Sequence, residues 1–399
     1  MTTASVTAGH AQPGRAQAGP PDAEALAEVL RRADEVLPAL AALAPANDRT
    51  GEFPAESIRL LHESGLLTAT VGIRYGGPGL RHAGTHELLR RLGRADPSVA
   101  LIASFTLAVH QRQAAAPFFD EEFYARLLAD SRREPTLVNS LQVEPALGTP
   151  SRGGRPATVA RRTADGWRVS GHKIFSTGAP GLRWMLVLAT TDEPEPRIGS
   201  FVVDARSPGI EIRPTWAAAG MRATRSDDVL FTDVPVPASA AHGLVPAAGH
   251  RNPPGPGTAI PSIYLGAAEA ARDWLVGYLR ERVPANLGHP LIELPRFEAA
   301  LGEMGLRLTV TRELLAGLAR QADDGRAVPP ETAWSAKVFA SRSVTWVADQ
   351  AVALIGNPGL SGHNPLERHL RDVLCSRAHF PQEDTVIAAL GRAAKAAAG

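Results

Sequence analysis

The period of the apolar residues changes twice along this chain, and few folds accommodate that. Over residues 23–131 large apolar side chains recur at helical spacing, as in Leu26, Val29, Leu30, Ala33, Leu37 and Leu40. Over residues 137–234 they fall instead into short runs rich in Val, Ile, Thr and Trp, separated by turn residues such as Ala164-Asp165-Gly166 and Ser207-Pro208-Gly209. Beyond residue 262 the helical spacing returns. Strands segregated between two helical blocks exclude an alternating, doubly wound sheet and predict an α+β chain.

The spacing predicts helices over 23–43, 54–64, 85–94, 97–115 and 120–131, with a glycine-rich loop over 74–84. Asp96 is placed to cap the helix that Pro97 opens. Strands are predicted over 137–143, 157–163, 167–174, 184–190, 200–204, 210–214 and 228–234, enough for an antiparallel β-barrel or sandwich. A Pro/Gly-rich link over 235–261 leads to helices over 262–283, 291–323, 330–355 and 383–398, which read as a four-helix bundle. The organisation expected is a disordered tail (1–22), an N-terminal helical domain (23–135), a middle β domain (136–240) and a C-terminal bundle (241–399).

With a net charge of +1, nothing points to nucleic acid or a membrane surface. The one cysteine, Cys375, excludes an internal disulfide and a thiolate-rich metal site, and suits a reducing, cytoplasmic setting. Residues 1–21 lack the apolar stretch of a signal peptide, and the most apolar run, 99–109, is too short to span a bilayer. There is no Gly-x-Gly-x-x-Gly turn, Walker loop or His-Glu-x-x-His. His82 and His86 are four residues apart, but no third ligand lies near them and no metal is expected.

Three stretches carry a family resemblance: GWRVSGHKIFSTGA (166–179), GMRATRSDDVLFTDVPVP (220–237) and PLERHLRDVL (365–374). Together they resemble the acyl-CoA dehydrogenase flavoprotein superfamily from about residue 25 to the C-terminus. The resemblance implies the same helical, β and four-helix-bundle plan, a flavin (FAD or FMN), and a homotetramer built as a dimer of dimers. It also implies roles. Leu141 and Val143 would run along the flavin ring, with the Asn139 amide at the mouth of the site. Phe175 would stack on the ring, Ser176 and Thr177 would donate hydrogen bonds to it, and Trp216 would wall the pocket. Arg282 would grip a pyrophosphate, and Gly356 and Gly359 would let the backbone approach an ADP moiety. A helix end and a helix cap explain Arg282 and Gly356 equally well.

One departure decides the functional expectation. Dehydrogenases of this superfamily remove a substrate proton with a Glu placed near the C-terminus or early in the first bundle helix. Here the first position reads His379-Phe380-Pro381, and residues 246–268 contain no Asp or Glu. Members resembling dibenzothiophene monooxygenase, which draw reduced flavin from a separate flavin reductase, carry a His before a Pro after an Arg-Asp-Val run, as Arg371-Asp372-Val373 does here. The resemblance therefore implies a flavin-dependent monooxygenase acting on a small organic substrate through a flavin C4a-hydroperoxide. His379 and Ser176 would be its catalytic residues, and Trp216, Phe380 and, more weakly, His110 would line the substrate pocket. An acyl-CoA dehydrogenase-like oxidoreductase with a displaced base is the alternative, and a non-catalytic flavoprotein the third reading.

Overall fold

The computed structural model describes residues 23–146, 154–247 and 256–397. The expected tail (1–22), the stretch 147–153 and part of the Pro/Gly-rich link (248–255) lie outside them. Among the described residues, helices α1 (Ala23–Thr50), α2 (Ala55–Glu63), α3 (His82–Ala95), α4 (Pro97–Ala115) and α5 (Glu121–Ser131) come first. Strands β1 (Leu137–Leu141), β2 (Val159–Thr163), β3 (Gly166–Ser176), β4 (Leu182–Thr191), β5 (Arg197–Asp204), β6 (Ile210–Arg213), β7 (Asp227–Pro237) and β8 (Ala241–Pro246) follow. Helices α6 (Ala259–Glu281), α7 (Pro295–Asp323), α8 (Pro330–Ile355), α9 (Leu366–Leu374) and α10 (Glu383–Ala397) close the chain.

The α+β plan of helices, sheet and helices is as expected, with five differences of detail. The sheet runs β6-β7-β3-β2-β4-β5-β8 and stays open, so "barrel" describes it only loosely. It is also mixed, because β4 pairs in parallel with both β1 and β2. Strand β8 falls inside the expected link, where Ala, Pro and Gly hide the alternation that pairing with β5 reveals. The short α9, rather than α10, packs against both α6 and α8. The loop expected over 74–84 ends early: His82 and Gly84 already belong to α3, since a single glycine does not stop a helix whose other residues favour it.

The capping expectation holds at α4, where Asp96 accepts from Ser98 N (2.9 Å) and Val99 N (3.2 Å). That helix is buried on nearly all sides, which explains its unbroken apolar run. A close helix crossing matters for the site. A Cβ on Gly93 of α3 would lie 2.2 Å from Ile263 O, and one on Gly266 of α6 would lie 2.0 Å from Arg90 O. The two backbones touch there, and the contact fixes the stretch of α6 that carries Tyr264.

Candidate active site

Strand β3 leaves the sheet in a strained conformation. Phe175 has φ 55°, and its ring is 60% exposed. A bulky residue in left-handed backbone with its apolar face in water costs free energy twice, and such residues cluster at functional sites. The ring meets Trp216 edge-on at 6.3 Å. Trp216 is fixed at both ends: its N–H donates to Asp227 Oδ1 (3.0 Å) and its Nε1–H to Met221 O (3.1 Å). Met221 and Arg225 also have positive φ, 53° and 42°.

Behind Phe175 lies a polar floor. Ile174 N donates to Val143 O (3.0 Å), which lays the segment after β1 beside the end of β3. Asn139 Nδ2 donates to Thr177 O (2.9 Å), so one end of its amide is committed to the strand end. Thr177 Oγ1 shares a hydrogen bond with Ser226 Oγ (2.9 Å). Leu141 is fully buried in β1 against β4. Two buried atoms have no protein partner: Ser176 Oγ and Asn139 Oδ1. Beneath this floor Lys173 Nζ donates to Glu144 Oε1 and to Leu188 O, both at 2.6 Å.

The opposite wall comes from the C-terminal helices. Met221 N donates to Asp372 Oδ1 (2.6 Å), and a Cβ on Gly220 would lie 2.1 Å from Arg371 O, so only glycine lets this loop reach α9. Arg371 donates to both carboxylate oxygens of Asp48 on α1 (3.0 and 2.6 Å) and to Ala219 O (2.7 Å). Burial pushes the Asp372 carboxyl up to about 7. From α9 the chain turns through Cys375–Arg377 to His379, whose Nε2 lies 2.6 Å from Tyr264 Oη on α6. Phe380, 37% exposed, follows it.

The His379 pair has a definite chemistry. Burial holds the Tyr264 hydroxyl well above its ordinary value, so it stays protonated. Burial, and then the positive charge of Lys337, push the His379 imidazole down to about 4, so it is neutral at neutral pH. The buried hydroxyl needs an acceptor and Nε2 supplies one. The ring proton is thereby assigned to Nδ1. His379 thus presents an N–H donor on its other face.

The remaining expected residues are not brought to this wall. His110 is fully buried on α4, its Nδ1 3.0 Å from Tyr124 Oη, in a separate aromatic cluster with Phe119 and Phe123. Burial pushes it down to about 4. Arg282 is exposed just past α6, with no ion pair among the described residues. Gly356 caps α8 with φ 66°, and Gly359, in the turn that follows, packs back against the end of α8, where a Cβ would sit 2.8 Å from Val352 O. His86 bonds Ser262 Oγ (2.6 Å), and no metal-holding cluster occurs among the described residues. Sequence reasoning missed Tyr264 and Lys337. A tyrosine inside the apolar run Ile263–Leu265 was the available signal, because a buried hydroxyl needs a partner. A cavity of about 780 Å³ opens elsewhere, between α5 and the sheet, lined by Phe123, Arg126, Trp167, Arg183, Trp184 and His242.

Three family models match the chain in order: acyl-CoA dehydrogenase N-terminal domain over residues 21–128, middle domain over 143–234 and C-terminal domain over 258–379. The chain belongs to the acyl-CoA dehydrogenase family. As an acyl-CoA dehydrogenase family member it is a flavin-dependent oxidoreductase. It is 32% identical over 346 residues to YdbM of Bacillus subtilis (strain 168), named as an acyl-CoA dehydrogenase, covering 86% of this chain and 90% of that one. It is 29% identical over 359 residues to L-evernosamine nitrososynthase of Micromonospora sp. (strain ATCC 39149 / NRRL 15099 / SCC 1413), covering 85% and 82%. Among solved structures it resembles KijD3 in complex with FMN and dTDP-3-amino-2,3,6-trideoxy-4-keto-3-methyl-D-glucose (TM-score 0.81, 25% identity, 94% of this chain and 95% of that one). The residues at the end of β3 fit a flavin: an exposed aromatic face at Phe175 lies beside a buried hydroxyl and a buried amide oxygen that lack partners. No helix among the described residues is long and apolar enough to cross a membrane.

Proposed function

We propose that this family member is a flavin-dependent monooxygenase that oxygenates a small organic substrate. One observation carries the reading. The wall that α9 and the turn after it build against the Met221 loop holds a neutral histidine bonded to a tyrosine, and the carboxyl beside them, Asp372, is buried and accepts from Met221 N. The first turns of α6 contain no acid, and Glu269 further along is taken by Arg90 (2.5 Å), Arg94 (3.4 Å) and Arg312 (3.5 Å). A dehydrogenase needs a base for the substrate's α-proton, and a neutral imidazole with its Nε2 occupied by a hydroxyl is a poor one. The nitrososynthase and the amino-sugar complex of KijD3 among the relatives favour nitrogen as the atom oxygenated.

In this reading a bound reduced flavin, FMN or FAD, supplies two electrons and activates O2. One oxygen atom enters the substrate and the other leaves as water. Phe175 stacks on the ring, and Ser176 Oγ and Thr177 hold its polar edge. Leu141 and Val143 back it, and Asn139 keeps the strand end in place. His379 donates its Nδ1–H to oxygen, with Tyr264 fixing the tautomer as an orienting partner. Trp216 and Phe380 keep water from the reacting atoms. Arg282, Gly356 and Gly359 reach the cofactor's outer part only if subunits pair, and a homotetramer with a separate flavin reductase belongs to the same proposal.

The test is aerobic NADH consumption with a generic flavin reductase, with and without the protein, while hydrogen peroxide and product are followed. His379→Ala should raise peroxide release and cut product roughly tenfold or more, the ordinary scale for losing one positioned proton donor. Unchanged coupling in that variant would remove His379 from the mechanism. A dehydrogenase reading is favoured by the YdbM similarity and by Asp372, whose carboxyl near 7 lies close enough to affect Tyr264. Its Oδ1 is occupied by Met221 N, however. Anaerobic bleaching of the bound flavin by an acyl-CoA would establish dehydrogenation instead.

A further inference from the structure

Lys337 lies two turns into α8 and is only 5% exposed. Its ammonium makes no hydrogen bond and no ion pair among the described residues. The one opposite charge that acts on it is Glu383 of α10. That carboxylate is 41% exposed and is already held by Arg342 at 2.6 and 3.0 Å. Nearby positive groups add no compensation, since Arg342 and Arg377 also act on Glu383.

The face of α8 that carries Lys337 looks onto the turn before His379. One turn on, Ser341 Oγ donates to Ser376 O (3.4 Å). Ser376 is 2% exposed and its own Oγ has no partner. The Lys337 charge acts on His379, whose free face is the Nδ1–H derived above. Lys337 and the Ser376 hydroxyl, neither with a hydrogen-bond partner among the described residues, thus lie against the turn that leads to His379. A largely buried lysine whose countercharge is a carboxylate already held elsewhere carries a free-energy cost that a bound anion would offset. Loss of its proton is an incomplete answer. Burial pushes Lys337 down to about 8, which still leaves about nine-tenths of it charged at pH 7.

We propose that Lys337, with Ser376 Oγ, forms an oxyanion-binding site that takes a carboxylate or phosphate group of the substrate. The inference goes beyond the oxygenase reading, because either an oxygenase or a dehydrogenase could hold an anion there. Its failure and the failure of that reading are therefore separable. An anion in this position would fix which end of the substrate enters first and would set the distance from that end to the reacting atom.

The chain has three lysines, Lys173, Lys337 and Lys395, so protein labelled with 13C and 15N in lysine gives three side-chain signals. Lys337→Met identifies the relevant one. The probes are inorganic phosphate and acetate. An anion that binds only the charged amine raises its titration midpoint by about one unit when present at ten times its Kd. The proposal requires such a shift of the Lys337 signal with at least one probe. It also requires about a tenfold or greater loss of that anion's affinity, by calorimetry, in Lys337→Met, with Lys395→Met unchanged. A shift with phosphate alone assigns a phosphorylated substrate, and one with acetate alone a carboxylated substrate. A Lys337 midpoint unmoved by either anion at tens of millimolar, or equal affinity in Lys337→Met, overturns it.

Discussion

Lys173 and Lys337 are both buried, 0% and 5% exposed, and the protein treats them in opposite ways. Lys173 lies under the middle sheet with its charge fully answered. Glu144 and the Leu188 carbonyl accept from it, and Thr158 Oγ1 (2.6 Å) and Ala157 N (2.7 Å) satisfy the same carboxylate. Lys337 lies in the C-terminal wall with no hydrogen bond or ion pair among the described residues, and only the Glu383 carboxylate, held by Arg342, acts on it. The first arrangement closes on itself and joins β3 to the segments on either side. The second is open, and the proposed anion would close it. A closed ion pair reports structure, whereas an open charge leaves a group able to bind.

The largest test of this contrast is Lys173→Met. It strands Glu144 in the interior, and denaturant unfolding should register a loss of about 3–5 kcal/mol. A loss below ~1 kcal/mol would mean the pair is no more sealed than its counterpart. Next in size is a pH effect at the open wall. His379 is pushed down to about 4, below the value an unfolded histidine has, so between those limits the unfolded chain binds the extra proton. Its contribution to stability is present at neutral pH and is lost as pH falls from about 6.5 towards 4. His379→Gln removes that dependence. Allowing for the half-buried ring, wild type should lose about 1–2 kcal/mol relative to the variant between pH 7 and pH 4.5. A constant difference across that range would show that the imidazole is not held neutral by its surroundings.

Tyr264→Phe probes the same wall with a smaller change. Losing the hydroxyl that fixes the tautomer should cost ~1 kcal/mol in thermal or denaturant unfolding, with a larger drop in coupling than in stability. Equal drops would reduce the tyrosine to a packing role. The smallest effect is expected from Lys337→Met. Replacing an unanswered ammonium by an apolar chain of similar length should change stability by less than ~1 kcal/mol, in the stabilising direction at pH 7. A loss like that of Lys173→Met would erase the distinction between the two lysines.

Much of this was legible in the residues, for physical reasons that differ by region. The three units showed because the apolar period changes and period is a property of local geometry. Phe175, Ser176, Thr177 and Trp216 could be singled out as candidates because they sit in runs whose order along the chain is specific. Strand β8 did not, since Ala, Pro and Gly carry no alternation and only pairing with β5 defines it. Tyr264 and Lys337 did not, because one residue on a helix of apolar neighbours reads as core or as surface until the opposing element is known. The Asn139 amide illustrates the same limit: its commitment to Thr177 depends on a contact across 38 residues of chain. His110, on the most apolar helix, was drawn towards the site by residue type, but it belongs to a separate aromatic cluster.

Arg371 and Asp372 have a consequence for engineering. Through them a single two-residue step on α9 bonds to Asp48 from the first helical unit and to the Ala219–Met221 loop from the sheet. Swapping the sheet for that of a homologue would therefore be a three-way exchange. The donor would have to bring a glycine at position 220 and a loop able to meet the same carboxylate, or the shelf bearing His379 would lose its footing.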